Sequence, residues 1–580
     1  MTRASGATYV LGTGLSHDGS ACLLKDGRIH VAIEKERLTR VKHDGYNDTA
    51  AITYCLDAAG ITMDDVALIV QNANFGRPQH DLTRWHGPRI VPTDGRVVTI
   101  SHHLAHAYSA IGTCPFDDTA VLVIDGCGNA YDDCLDLEGA LVPEIPEAPA
   151  FRQLSFEKDS YYAFDGRSLR PIYKDFSPWA IPPHAGPMCP RTTKDSVGGL
   201  YLAASTYVFN GFEDPGKLMG LAPYGRPGVY DFEIFELRDG RAFVRDEWMR
   251  AFTRPARSHE EFAADFSYYA DIAYWVQKEL ERAVLYIVRS RFERSPHRNL
   301  AYAGGVALNA VANARIVRES PFEQVYVQPA AQDNGLAIGC AYYGWMDVLG
   351  RERPRHDGST CFGRGYGPGP VARALEPYRD AVETVETPDY VDAVAAALAD
   401  GQIVAWFQSG AEFGPRALGH RSILADPRRP AVRTFINAAI KEREDFRPFA
   451  PSVPAEDAST YFDCPCESPY MILVAPVRPE WANAMPSVVH CDGSARLHTV
   501  TPAANPAFHA LLRRFGERTG IAVLLNTSFN KRRMPIVETP DEALQFFLAC
   551  PLDLLVLDGC VVRKITSLPA ASPTGTRDTG

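Results

Sequence analysis

Alternation and periodicity of apolar residues divide most of the chain into short strands and amphipathic helices. TYVLGTGLS and ACLLKDGRIHVAIEKER are β-rich runs, and Asp26-Gly27 predicts a two-residue hairpin because both turn residues tolerate positive φ. Further strands are predicted at 66–71, 97–102 and 119–125, and a long amphipathic helix over 262–292. Strand 299–303 runs into Gly304-Gly305 and the helical ALNAVANARIV. After VYVQP comes a second helical run, GLAIGCAYYGWMDVL. This succession of strand, glycine pair, helix, strand and helix is α/β logic. Residues 351–370, dense in Gly, Pro and charge, are the expected domain boundary. Beyond them the pattern predicts helices at 388–399, 506–519 and 540–550, with strands at 403–408 and 522–526. The expected organisation is a first domain at 1–355, a second at 356–565 and a disordered tail at 566–580, which lacks apolar mass. No internal repeat is found.

Composition narrows the class. A chain of 580 residues, 46% hydrophobic and 22% charged, is expected to be a soluble globular protein of two or more domains. A net charge of −12 argues against nucleic acid as the main partner, since phosphate backbones demand a basic footprint. The thirteen cysteines lack regular spacing, and Cys464-Pro-Cys466 is not the two-residue spacing of zinc knuckles. Reduced thiols in a cytoplasm fit best. No run reaches the roughly 18 apolar residues of a membrane span, and the N-terminus reads as a first strand rather than a signal peptide.

Candidate chemistry begins at SHHLAH, after a predicted strand. His102 and His106 stand four apart, which places both imidazoles on one helix face within reach of one ion; packing residues are the alternative. His103 points to another face. Asp125 ends the apolar strand VLVID, where a carboxylate is costly to bury unpaired, and Asp333 sits in a turn before a helix. Two histidines with two aspartates would suit Fe, Mn or Zn rather than Ca. Gly304-Gly305, leading to Asn309, fits a turn whose bare amides approach phosphate or ribose. Lys217 in GKLMGLAPYG is either a phosphate or acyl contact or a solvated lysine. His17 in SHDGSAC, Lys42 after EKERLTRV, and Asp214 are candidate catalytic groups, with structural or exposed roles as the alternative. His17 or Asp214 could accept a proton from an acceptor hydroxyl.

The segment 410–453 gathers Arg416, Arg421, Lys441, Arg443 and Arg447 among Gly, Pro and aromatic residues. PRALGHRS and KEREDFRPF each place cations on or beside a turn, which suits fixed phosphate oxygens; a basic surface patch is the alternative.

With these motifs in order over about residues 8–564, the chain resembles the carbamoyltransferase family typified by nodulation protein NodU, the cephalosporin carbamoyltransferase CmcH and the tobramycin carbamoyltransferase of nebramycin biosynthesis. The last is the closest in type. The resemblance implies an α/β fold with an N-terminal actin/Hsp70-like (ASKHA) nucleotide-binding domain. That domain is similar to the threonylcarbamoyl-tRNA transferase family, where an HxxxH pair and a late aspartate hold iron beside a nucleotide. His102, His106 and Asp333 match those positions, and Asp125 matches an extra aspartate ligand of the nebramycin type.

The second half resembles the YrdC-like fold, mixed α+β, which makes carbamoyl-adenylates from ATP. SARLHTV around Arg496 and LLNTSFN complete its motifs. The likeness assigns Arg416, Lys441 and Arg447 to carbamoyl phosphate and ATP phosphates, with Arg421 and Arg443 beside them. Arg496, Asn526 and Ser528 fall to the nucleotide, a structural Asn-Ser turn being the alternative. Gly304, Gly305, Asn309 and Lys217 join this cofactor-binding set.

The implied activity is ATP-dependent O-carbamoylation from carbamoyl phosphate, with Fe(II) or another divalent transition metal in the first domain and Mg²⁺ accompanying ATP. The expected acceptor is a small-molecule hydroxyl, as in antibiotic tailoring of an aminoglycoside or macrolactam, without nucleic acid or membrane. A cytoplasmic monomer or homodimer is expected. Rival readings are a HypF-like protein, which would carry paired CxxC zinc motifs, a tRNA-threonylcarbamoylating fusion, and a catalytically silent nucleotide-binding regulator.

Overall fold

The computed structural model describes residues 6–72, 88–143, 149–179, 188–190, 193–211, 215–385, 387 and 389–565. Asp26 and Gly27 are both left-handed, with φ of 51° and 79°, and close the hairpin between Ser20–Lys25 and Arg28–Glu34 as their sequence predicts. Tyr9–Gly14 pairs antiparallel with Ser20–Lys25 and parallel with Val66–Asn72, which in turn runs parallel to Val97–Ile100. These five strands form one sheet.

A second five-stranded sheet repeats that plan. Thr119–Ile124 pairs antiparallel with Ser155–Phe164, which is antiparallel to Leu169–Pro178. On its other edge Thr119–Ile124 runs parallel to Asn299–Ala303, and that strand to Gln324–Val327. Each sheet is thus an antiparallel meander extended by two parallel strands, the actin-like arrangement. This corrects the expectation of no internal repeat: the duplication is written in strand pairing rather than in residue identity.

Helices His102–Thr113 and Leu336–Tyr343 lie in the apolar layer between the sheets, with Val10, Val70, Val121, Val123 and Ala303. They touch closely at Gly339, where an added Cβ would fall on the Ala105 carbonyl oxygen.

Phe235–Arg238 and Arg241–Val244 form a separate two-stranded ribbon, and the other strands form a mixed nine-stranded sheet running from Val382–Val385 at one edge to Leu473–Pro476 at the other. It docks on the first part through Phe446, which sits among Phe209, Phe262, Phe266 and Tyr224. Burying such a ring contributes about 1.5–3 kcal/mol. Tyr54 also donates to Glu538 Oε1 at 2.5 Å, and Arg40 donates to the Ile536 carbonyl at 2.7 Å.

Several boundaries differ from expectation. The 262–292 helix is two helices, His259–Ala264 and Phe266–Arg294, parted at Asp265. Strand 97–102 stops at Ile100, because Ser101 already occupies the N-cap position of the helix that His102 begins. The run from 335 is α-helical only to Tyr343 and continues as a π-helical turn, Gly344–Val348. Strand 299–303 and helix 506–519 lie where the pattern puts them. Among the described residues no helix is long and apolar enough to cross a membrane.

Candidate functional site

Three elements converge between the two five-stranded sheets. Helix His102–Thr113 presents both histidines, the end of strand Thr119–Ile124 delivers Asp125, and the turn Asp333–Gly335 delivers Asp333. His102 Nε2 lies 3.1 Å from Asp125 Oδ2, 3.5 Å from Asp333 Oδ1 and 3.2 Å from His106 Nε2. His106 Nε2 is 3.7 Å from Asp333 Oδ1 and 4.0 Å from Asp125 Oδ2. All four residues are buried, and their ligand atoms lie within 4.8 Å of one another.

Two carboxylates held out of water need a positive charge. In the bare protein a proton can supply it. Burial opposes protonation of His102, yet Asp333 and Asp125 hold its imidazolium up to about 10. A divalent cation would displace that proton. Both Nε2 atoms converge on the carboxylates, while neither Nδ1 has a hydrogen-bond partner among the described residues. The donor set fits a divalent transition metal.

Asp125 is oriented by the glycine pair. Its Oδ1 accepts the Gly305 N–H at 2.9 Å, and Gly304, at φ 92°, could not carry a Cβ without striking the Ile124 carbonyl. The expectation that these amides face phosphate or ribose is therefore corrected at Gly305: its N–H already serves a carboxylate. At the rim the half-exposed His17 places Nε2 3.4 Å from Asp333 Oδ2 and Nδ1 3.2 Å from Asp18 Oδ2. Asp18 Oδ1 in turn meets His43 Nδ1 at 2.7 Å.

The second constellation lies in the nine-stranded part. Lys441 is buried and donates to the Ser528 carbonyl at 2.7 Å, to Ser528 Oγ at 3.2 Å and to Asn530 Oδ1 at 2.6 Å. Arg443 donates to Asn437 Oδ1 at 2.7 Å and stacks on Phe449. Arg496 reaches Met471 Sδ at 3.7 Å, and Nε of both Arg496 and Arg416 lacks a partner among the described residues.

These cations depress one another. Burial and the Arg447 guanidinium bring Arg416 down to about 10, and burial with neighbouring guanidiniums pushes Lys441, Arg443 and Arg496 well below their ordinary values. Glu444 relieves Arg443, but it is shared with Lys217, at 3.5 Å, and Arg532, at 3.2 Å. Concentrated, half-buried positive charge of this kind suits an anion. The two constellations are tied together by Glu34. Its Oε1 accepts from Asn334 Nδ2, beside Asp333, at 2.9 Å and from the Gly414 N–H, two residues before Arg416, at 2.8 Å.

A family model for the carbamoyltransferase N-terminus matches residues 10–82 and 91–342, and one for the carbamoyltransferase C-terminus matches residues 395–564. The chain belongs to the carbamoyltransferase family. It is 33% identical over 590 residues to nodulation protein NolNO of Sinorhizobium fredii, covering 95% of this chain and 80% of that protein. It is 27% identical over 539 residues to the 3'-hydroxymethylcephem-O-carbamoyltransferase of Amycolatopsis lactamdurans, covering 89% and 91% respectively. Full-length HypF, in its phosphate- and nucleotide-bound form, overlaps 58% of this chain and 55% of that one at a TM-score of 0.36 and 12% identity, a likeness too distant to carry an assignment.

In this carbamoyltransferase not every expected site residue reaches a site. Arg421 is wholly buried on strand Arg421–Ala425. Its guanidinium donates to the carbonyls of Gln408, His420, Ser409 and Glu538 and stacks on Phe407. It braces the fold rather than facing an anion. Asn309 caps helix Ala310–Glu319 by accepting the Ala312 N–H at 3.0 Å and exchanges hydrogen bonds with Gln277. Asn526 donates to the Ala417 carbonyl at 3.1 Å and to Ser452 Oγ at 3.0 Å, so it shapes the loop beside Arg416. Lys42 pairs with Glu36 at 2.6 Å, and Lys217 is buried against Glu444 rather than solvated. Asp214 lies outside the described residues. Sequence reasoning missed Asn530, although it closes the quoted motif LLNTSFN, and Glu34, whose role depends on a partner 380 positions away.

Proposed function

We propose that this carbamoyltransferase is ATP-dependent and works at two stations, charging a carbamoyl group onto AMP at the cationic cluster and passing it to a hydroxyl at the metal centre. The observation that carries the reading is the cluster of Arg416, Lys441, Arg443, Arg447 and Arg496, whose mutual repulsion calls for a polyanion. Carbamoyl phosphate and the ATP triphosphate, with its Mg²⁺, supply that charge, and fixed guanidiniums stabilise it without reorganising.

At the cluster, hydrolysis of carbamoyl phosphate breaks its bond to phosphate and leaves carbamate. A carbamate oxygen then attacks the α-phosphorus of ATP, pyrophosphate departs, and carbamoyl-AMP forms. At the other station the acceptor hydroxyl attacks the carbonyl carbon, the bond to AMP breaks, and His17 or Asp214 takes the hydroxyl proton. Asp333 and Asp18 hold His17 up to about 10 in the bare protein, so His17 serves only after it has given that proton up. His102, His106, Asp125 and Asp333 would hold a divalent transition metal, Fe(II) in the reading closest to the resemblance, which supplies Lewis-acid polarisation of an acyl oxygen. Enclosing the labile intermediate between stations protects it from water. The similarity to a 3'-hydroxymethylcephem-O-carbamoyltransferase favours a small-molecule acceptor, here a natural-product hydroxyl in a cytoplasmic tailoring step.

The test incubates the purified chain with ATP and carbamoyl phosphate and follows pyrophosphate. Lys441→Ala is expected to abolish pyrophosphate release while leaving transfer from supplied carbamoyl-AMP. Loss of transfer alone would reverse the station assignment, and no pyrophosphate from the wild type would remove the adenylate reading.

A further inference from the structure

Helix His102–Thr113 begins at Ser101, a residue type that commonly caps a helix with its own hydroxyl. Here it does not: Ser101 Oγ turns away and donates to Asp136 Oδ1 at 3.1 Å. The first free amide of the helix, that of His102, instead donates to Asn129 Oδ1 at 2.7 Å. Asn129 lies four residues beyond Asp125, in the loop that the Asp125 strand feeds. It is buried, its own N–H donates to Glu157 Oε2 at 3.0 Å, and its carbonyl accepts from the Glu157 N–H at 3.0 Å. Lys174 pairs with Glu157 at 2.5 Å and with Asp136 at 2.6 Å, so one buried ammonium steadies both sides of the junction. Gly128 leaves no slack, because a Cβ there would lie 2.6 Å from Glu157 Oε2 and 2.8 Å from His103 Cδ2.

We propose that Asn129 is a positioning residue for the metal centre. By capping the ligand-bearing helix from the loop of the strand that ends in Asp125, it sets the spacing between the His102 imidazole and the Asp125 carboxylate. The inference rests on the metal reading of His102, His106, Asp125 and Asp333. A partner outside the ligand set that orients a ligand typically changes metal affinity by about 10- to 100-fold when removed.

The test titrates the full-length, metal-free chain with Co(II) and follows both the dissociation constant and the d–d absorption. Asn129→Ala is expected to bind Co(II) about 10- to 100-fold more weakly and with an altered spectrum. Asn129→Asp keeps an acceptor at the helix start and is expected to bind no more weakly than the wild type. Ser101→Ala is expected to leave the affinity unchanged. Equal affinity in Asn129→Ala and wild type overturns the proposal, as does an equal loss in Ser101→Ala. If Asn129→Ala does not fold, Asn129→Gln, which displaces the acceptor by one methylene, carries the same comparison. Failure of the wild type to bind Co(II) would instead remove the metal reading beneath it.

Discussion

Replacing Arg496 with Met should move ligand binding and stability in opposite directions. Arg496 stands on strand Ser494–Val500, half-buried, with Arg416, Arg443 and Arg447 lowering its proton affinity and its guanidinium reaching the Met471 sulfur. In the ligand-free protein it therefore contributes repulsion and desolvation with little hydrogen bonding in return. A methionine fills much of the same volume without charge, so the unliganded variant should melt at a higher temperature than the wild type. With an anion bound the balance reverses. A hydrogen bond to a charged group is worth about 1.5–3 kcal/mol, which at about 1.4 kcal/mol per factor of ten corresponds to a roughly 10- to 150-fold weaker dissociation constant. Titration calorimetry with inorganic phosphate and with carbamoyl phosphate measures the loss, and differential scanning calorimetry without ligand measures the gain. A variant that melts lower yet binds phosphate as the wild type does would show that Arg496 is a structural arginine, and the argument for an anion site would fail with it.

Gly304→Ala forces a side chain onto a backbone at φ 92° and against the Ile124 carbonyl; strain there costs about 1–3 kcal/mol, so melting temperature should fall and, with Asp125 displaced, Co(II) affinity should fall too. Unchanged Co(II) affinity would separate the glycine pair from the metal centre. His498 is buried beside Ser452 Oγ, and burial, opposed by Glu412, pushes it down to about 3. Its folded affinity for protons is below the unfolded value of about 6.5, so its contribution is complete above that pH and is lost as pH falls from there toward 3. His498→Asn should accordingly lose less stability between those limits than the wild type in chemical denaturation. A parallel pH dependence in the two proteins would refute this.

Local pattern carried the elements whose rules are short-range. Asp26-Gly27 had to turn, residues 506–519 had to be a helix, and the spacing of His102 and His106 had to put both rings on one face, whatever surrounded them. The cap at Asn309 could have been read on the same terms, since Asn directly before an apolar-periodic run is an N-cap signal, but the expectation placed Asn309 within the helical run and against a nucleotide. Other features depended on partners far along the chain. Nothing in their immediate neighbours separates Arg416 from Arg421; the latter is braced by carbonyls brought together by strand pairing, one of them from Glu538. The duplicated sheet order, the docking of Phe446, the Glu34 bridge and the turning of Ser101 away from its own helix were likewise settled only when distant segments met. The sequence determined where the charged and ligating groups could stand, because backbone periodicity is local. Which of them faces a ligand and which faces the fold was decided by tertiary contact, because a buried polar group takes whatever partner the packing supplies.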